Sequence, residues 1–333
     1  MRSTATAGGG LDGSPAPGFG SDSRGGRKAL LIRLVGLMAL ALLLTACNAL
    51  KLGYENLPRL VEWQVDNYLD LDDDQEALVT RRAKDIQRWH RQNLLPVYAE
   101  FLHRVEEELR TPVTVRQVAE WRQTVVRGWL PVADQLAPAV AEVALTLRPE
   151  QLAHLRLAIV KANEKAAAEY RPSDPAKRHE ARHKRLVKRS ESFFGDISDE
   201  QKRLIRESAA SMAANEDAWW QARVARQTAI VELLAGLATE KPAADEAVKR
   251  ARLVLTGLFR PHDAQPGQAA TVAPASAADA AAQSALRDDL AAASTAGDEL
   301  TVRLLAVATP EQRRHMVKRL DGYRQDFHLL AAR

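Results

Sequence analysis

His179-Glu180-Ala181-Arg182-His183 is the stretch of this 333-residue sequence that spells a catalytic pattern. On a helix, histidines four residues apart share a face and can bind Zn²⁺, while the glutamate between them can take a proton from a metal-bound water. Glu216 stands at a spacing that supplies a third ligand, so the chemistry would be metal-assisted hydrolysis. The setting opposes it: Lys177, Arg178, Arg182, Lys184 and Arg185 crowd the pattern, and like charges repel a dication. The same basic run suggests a second use, the steering of an acidic partner, with Arg178, Arg182, Lys184, Arg185, Lys188 and Arg189 as contact candidates. Asp70, Asp72 and Asp74 open like a calcium loop, but Gln75 stands where the sharp turn needs glycine and Arg81 where a bidentate glutamate is required, so these acids read as helix-start residues. Nucleophile elbows, P-loops, dinucleotide-binding glycine patterns and paired cysteines are missing. Binding is therefore expected over catalysis, with no cofactor, and a zinc-dependent hydrolase built on His179, Glu180, His183 and Glu216 is the alternative.

The single cysteine carries a different chemistry. A cationic segment (Arg24, Arg27, Lys28, Arg33) precedes an apolar run, Leu34 to Leu44, and then Thr45, Ala46 and Cys47. Eleven residues at helical rise reach about 16 Å, well short of a hydrocarbon core of about 30 Å, so the run reads as the core of a secretion signal. Leu44-Thr45-Ala46-Cys47 resembles the lipobox of bacterial lipoproteins. The resemblance implies removal of residues 1–46, acylation of Cys47 with palmitate-type chains, and a membrane anchor. Asn48, where aspartate would retain the protein at the inner membrane, implies transfer to the outer membrane, facing the periplasm. One cysteine also precludes an intramolecular disulfide, leaving the fold to its core.

Past the leader, 287 residues remain. The leader holds five of the 47 Lys/Arg and two of the 43 Asp/Glu, so the remainder stands near neutrality and does not point to nucleic acid. Strand-type alternation is nearly absent, whereas Leu152, Leu155, Ile159, Ala162 and Ala166 mark one helical stripe and Met316, Leu320, Tyr323, Phe327 and Leu330 another. The expectation is an all-α bundle of roughly nine amphipathic helices. They are placed near 57–69, 73–109 kinked at Pro96, 115–145 broken at Pro131 and Pro138, 150–170, 176–194, 199–239, 243–259, 285–307 and 310–331. In domain terms this gives a lipidated tether at 47–56, a helical body at 57–259, a flexible Ala/Pro-rich insertion at 260–284 and a C-terminal helical pair at 285–333 packing on the body. The six tryptophans (Trp63, Trp89, Trp121, Trp129, Trp219, Trp220) are expected as core anchors, although Trp219 and Trp220 cannot both face one core.

One signature recurs: an apolar residue, a cap-type residue, two variable positions and glutamine. It appears ending at Gln75, Gln117, Gln201 and Gln312, and again at Gln151 with Arg148 in the cap position. Physically it is a capping box, in which the cap oxygen accepts an N–H of the first turn and the glutamine reaches back to the cap residue. These sites resemble the LTxxQ motif of the Spy/CpxP-like periplasmic proteins, helical chaperones and stress-response adaptors. LKLGYENL, WQVDNYLDLDDDQ and FFGDISDEQ, together with the lipobox, resemble a family of proteobacterial lipoproteins of unassigned function. The lipobox resemblance implies the anchor and the LTxxQ resemblance a chaperone or adaptor role, so the expectation is a lipid-anchored periplasmic protein that acts by binding, as adaptor, assembly factor or chaperone-like component, with envelope proteins as partners. A purely structural envelope lipoprotein is the remaining alternative.

Overall fold

A computed structural model describes residues 50–212, 216–258 and 277–333; the expected signal at 1–46, Cys47 and most of the expected insertion lie outside the described residues. Among the described residues there are twelve α-helices and no strand, as the sequence pattern predicts. They are α1 (Leu57–Leu69), α2 (Asp73–Asn93), α3 (Leu95–Glu108), α4 (Val115–Arg127), α5 (Leu130–Thr146), α6 (Pro149–Tyr170), α7 (Pro175–Phe194), α8 (Asp199–Ser211), α9 (Glu216–Glu240), α10 (Ala244–Leu258), α11 (Ala277–Ala306) and α12 (Pro310–Ala331).

The count exceeds nine for local reasons. Leu94 leaves regular geometry (φ −110°), and Pro96 then falls in the first turn of α3, where a missing N–H costs nothing. Pro131 likewise sits in the first turn of α5, after the chain turns at Gly128 and Trp129. The expected break at Pro138 does not occur; the proline lies inside α5. Its neighbours explain this, because Ala133, Ala137, Ala141 and Ala144 are all essentially inaccessible, as are Ala247 and Ala251 of α10, the helix packed against α5. Small side chains on both helices permit close approach, and that packing offsets one lost intrahelical bond. The stretch 199–239 is two helices, α8 and α9, and α11 starts at Ala277, so residues 277–284 of the expected insertion are helical.

Six helices at each end of the chain repeat one pairing scheme. α1 packs on α2 and α6, and α2 on α5; correspondingly α7 packs on α8 and α12, and α8 on α11. The middle helices are exchanged: α3 packs on α12 and α4 on α11, whereas α9 packs on α6 and α10 on α5. Two cores result. The first joins Leu69, Val79, Leu152 and Leu155 to Leu237 and Leu255; the second joins Phe194, Ile205, Leu304 and Met316 to Val105 and Leu109.

Four of the five recurrent glutamines mark the same correspondence. Gln75 and Gln151 lie at the starts of α2 and α6, and their side-chain amides bond each other at 3.2 and 2.6 Å. Gln201 and Gln312 do the same for α8 and α12 at 3.2 and 2.8 Å. Each glutamine also accepts its cap residue's N–H: Asp72, Arg148, Ser198 and Thr309. Gln151 donates to the carbonyl of Asp70 at 2.8 Å and Gln312 to that of Asp196 at 2.7 Å, the ends of α1 and α7. Both helix ends are left-handed turns, at Asp70 (φ 51°) and Gly195 (φ 75°), where an aspartate is tolerated and a glycine unstrained. Arg148, the odd cap residue, makes half a box and sends its guanidinium to Asp72, the cap of α2. That bond holds the Asp72 carboxyl below the usual range. Gln117 forms only a local box with Thr114.

A charge-reversed pair completes the correspondence. Arg82 of α2 meets Glu142 of α5 (Nε to Oε2 2.7 Å), while Glu207 of α8 meets Arg303 of α11 at 2.8 Å. The partner guanidinium lowers each carboxyl's pKa.

Residues 50–55 form a further helical turn that an aromatic group holds to the body. The Tyr54 hydroxyl is 2.9 Å from His90 Nδ1, the His90 ring lies edge-on to Tyr98, and Tyr98 to Phe327. Lys51 meets Asp326 at 3.0 Å, and Glu55 pairs with Arg333. Burial pushes the His90 pKa down, so the folded protein refuses a proton that the unfolded chain accepts. The stability contributed by neutral His90 is complete above the ordinary histidine value and is lost as pH falls toward the lowered one. Denaturant midpoints taken between pH 7 and pH 5 should therefore fall more steeply for the natural sequence than for His90→Gln; equal slopes would contradict the assignment.

Candidate functional site

Asp174 caps α7 by accepting the N–H of Ala176 at 2.8 Å, and the helix that follows carries the whole HEARH stretch and most of the basic run. Its arginines do not share one fate. Arg182 is only 7 % exposed. Its Nε donates to Glu216 Oε1 at 3.1 Å, its Nη2 lies 2.7 Å from Glu216 Oε2, and its Nη1 donates to the Ala209 carbonyl at 2.6 Å. Arg185 adds a second guanidinium 3.9 Å from Glu216 and lies over the Tyr170 ring at 4.8 Å. Glu216, the expected third zinc ligand, is thus neutralised by the arginine inside the motif and by its neighbour. His179 and His183 are half-buried, and His183 Nε2 meets no hydrogen-bond partner among the described residues. Among the described residues no three His, Cys, Asp or Glu side chains converge as a metal site would require.

The expected face for an acidic partner is correspondingly smaller. Arg178 folds back onto the carbonyls of Pro172 (3.1 Å) and Ser173 (3.4 Å), so with Arg182 and Arg185 it belongs to the scaffold. Arg171, at the head of the run, pairs with Asp217 and lies 5.3 Å from the Trp220 ring centroid. Lys184, Lys188 and Arg189 remain exposed, Lys184 beside Glu180 at 3.5 Å. Phase decides the division: 178, 182 and 185 recur at i, i+4 and i+7 and face inward, while 184 and 188 share the outer face.

The tryptophans are not core anchors. None lies in the buried clusters; Trp63, Trp129 and Trp219 are exposed, and Trp121 reaches the second core only from its edge, donating to Glu108 at 2.6 Å. An indole N–H needs a partner, and these positions keep it near water or carboxylate. The Asp70, Asp72, Asp74 group serves helix ends, as its sequence setting suggests.

A concave surface that sequence reasoning did not single out lies between α3 and α4. Pro96, Val97, Phe101 and Thr124 line it, with Glu100 and Arg104 at the rim. Val97 is 59 % exposed, and Val125 beside Thr124 is 53 % exposed. Arg104 lies over the Phe101 ring at 5.5 Å, covering it with a charged group that can move aside. Apolar positions at 97 and 101 are spaced i, i+4 on one face, but so are core positions, and no pattern in a single sequence separates a groove from a core.

No single helix among the described residues is long and apolar enough to cross a membrane. No curated protein and no solved structure matches the chain. Residues 67–251, more than half of its length and spanning α2 to the middle of α10, match the model described as a family of unknown function, DUF6279, and the chain belongs to that family.

Proposed function

We propose that this protein is a lipid-anchored component of the outer membrane, facing the periplasm, that acts by binding other envelope proteins as an adaptor, assembly factor or chaperone-like factor. The anchor is supported by the apolar run of the leader and by Cys47 at the end of Leu44-Thr45-Ala46. Three acyl chains, each contributing about 0.8 kcal/mol per buried CH₂, make such attachment permanent. Binding is carried by the open groove between α3 and α4, where Phe101 and exposed Val97 supply apolar surface and Glu100 and Arg104 one charge of each sign. A partner helix with apolar residues at i and i+4 buries its stripe there, and the exposed Lys184, Lys188 and Arg189 favour acidic partners at longer range.

Two measurements on cells test the two parts. Cys47→Ser should abolish incorporation of labelled fatty acid and slow the protein on electrophoresis, since the leader is retained; unchanged labelling and mobility would remove the anchor. A photo-reactive residue at position 97 should give one discrete protein adduct, and the same residue at exposed Leu253 of α10 should not. Equal yields at both positions would remove the groove.

A further inference from the structure

The helix nearest the expected anchor is apolar on two sides, and the core uses one of them. Val61, Val65, Tyr68 and Leu69 of α1 pack on the first core. Asn56 departs from helical geometry (φ −90°, ψ 4°), yet it donates to Leu52 and accepts from Leu60 at 3.1 and 3.0 Å, so the helical turn at 50–55 runs on into α1. On the side away from the core, Leu52 (58 % exposed), Leu60 (49 %) and Trp63 (60 %) fall at i, i+8 and i+11, with Asn56, Arg59 and Asn67 between and beyond them. The acids of the segment, Glu55, Glu62 and Asp66, line one edge of this stripe beside Arg59; Glu55 is paired with Arg333 and Asp66 accepts the N–H of Leu71 at 2.9 Å. Aliphatic side chains, one indole and one arginine on a rigidly held surface helix match the interfacial zone of a bilayer, where apolar bodies enter the acyl boundary and polar ends stay with the headgroups.

Covalent reach selects the occupant. Leu52 lies five positions after Cys47, a span of at most about 18 Å even fully extended. Resting on the lipid-anchor reading above, we propose that the Leu52–Leu60–Trp63 face of this helix lies on the phospholipid surface and fixes the orientation of the body on the membrane. Acyl chains alone would leave the body free to tumble at the end of a short tether; the face converts a point attachment into a seated one. A dissolved partner protein has no such constraint to bring it to this side, whereas the bilayer is held within reach.

The test uses the full acylated chain, isolated from membranes and reconstituted into phosphatidylcholine vesicles with or without brominated acyl chains. Flotation of the vesicles reads the anchor, and tryptophan quenching by bromine reads the face. The natural sequence should be quenched, Trp63→Phe should lose most of that quenching, and Trp219→Phe should keep it. Protein that floats while Trp63→Phe and the natural sequence are quenched alike overturns the seating and leaves the anchor intact. Protein that fails to float removes both. Loss of quenching at high protein density, with Trp63 emission shifting to the blue, would assign the face to a second copy of the chain and equally overturn the proposal.

Discussion

Arg182→Met should cost about 3–5 kcal/mol of stability, measured as a shift in urea-denaturation midpoint at constant slope. Arg182 is buried and meets both Glu216 oxygens and the carbonyl of Ala209, so its removal leaves a carboxylate and a helix-end carbonyl facing apolar surroundings. Arg185, at 3.9 Å, is too far to replace those bonds. The double variant Arg182→Met, Glu216→Leu should recover most of the loss, because a buried ion pair and an apolar pair of similar volume are close in free energy while a buried lone charge is not. A single variant costing less than about 1 kcal/mol would show that water reaches the pair and that its burial is overstated.

Gln201→Leu should cost about 3 kcal/mol, and Gln75→Leu a similar amount in the other half. The estimate adds about 1 kcal/mol for the lost cap to 1–3 kcal/mol for buried groups left without partners. In the natural sequence Gln201 accepts from Ser198 and from the Gln312 amide, and it is fully buried. Gln312→Leu should cost as much alone, yet the double variant should cost about 1–2 kcal/mol less than the two together, since both partners of the shared bonds are then gone. Gln117→Leu is the control: its box is local to Thr114, and about 1 kcal/mol is the ceiling. Additive losses at 201 and 312 would mean that the two glutamines act as separate caps.

These two predictions also mark where sequence reasoning stopped. Capping boxes located helix starts at Asp73, Val115, Asp199 and Pro310 because they are local, satisfied within four residues. That four of the five glutamines bond in pairs across 76 and 111 residues is not local, and nothing in the five-residue signature distinguishes them from Gln117. The breaks at Leu94 and at Gly128–Trp129 were signalled by Pro96 and Pro131, yet Pro138 obeyed packing against α10 instead. The run from Arg171 to Arg189 counted as eight positive charges, although its phase already separated an inward row, 178, 182 and 185, from an outward one. What was missing was Glu216, whose approach depends on the packing of α7 and the start of α9. The apolar residues of α1 resolve into two faces only once the core has claimed one of them.

The exchange of middle helices has a mechanical meaning. Cutting the chain at the turn between α6 and α7 would strand α9 and α10 away from the interior they fill, and α3 and α4 away from theirs. Neither fragment would keep a closed apolar interior, so the two repeats melt together as one energetic unit. Pulling on the segment that precedes α1 loads that unit as a whole, so the chain gains the mechanical unity of a single clasp.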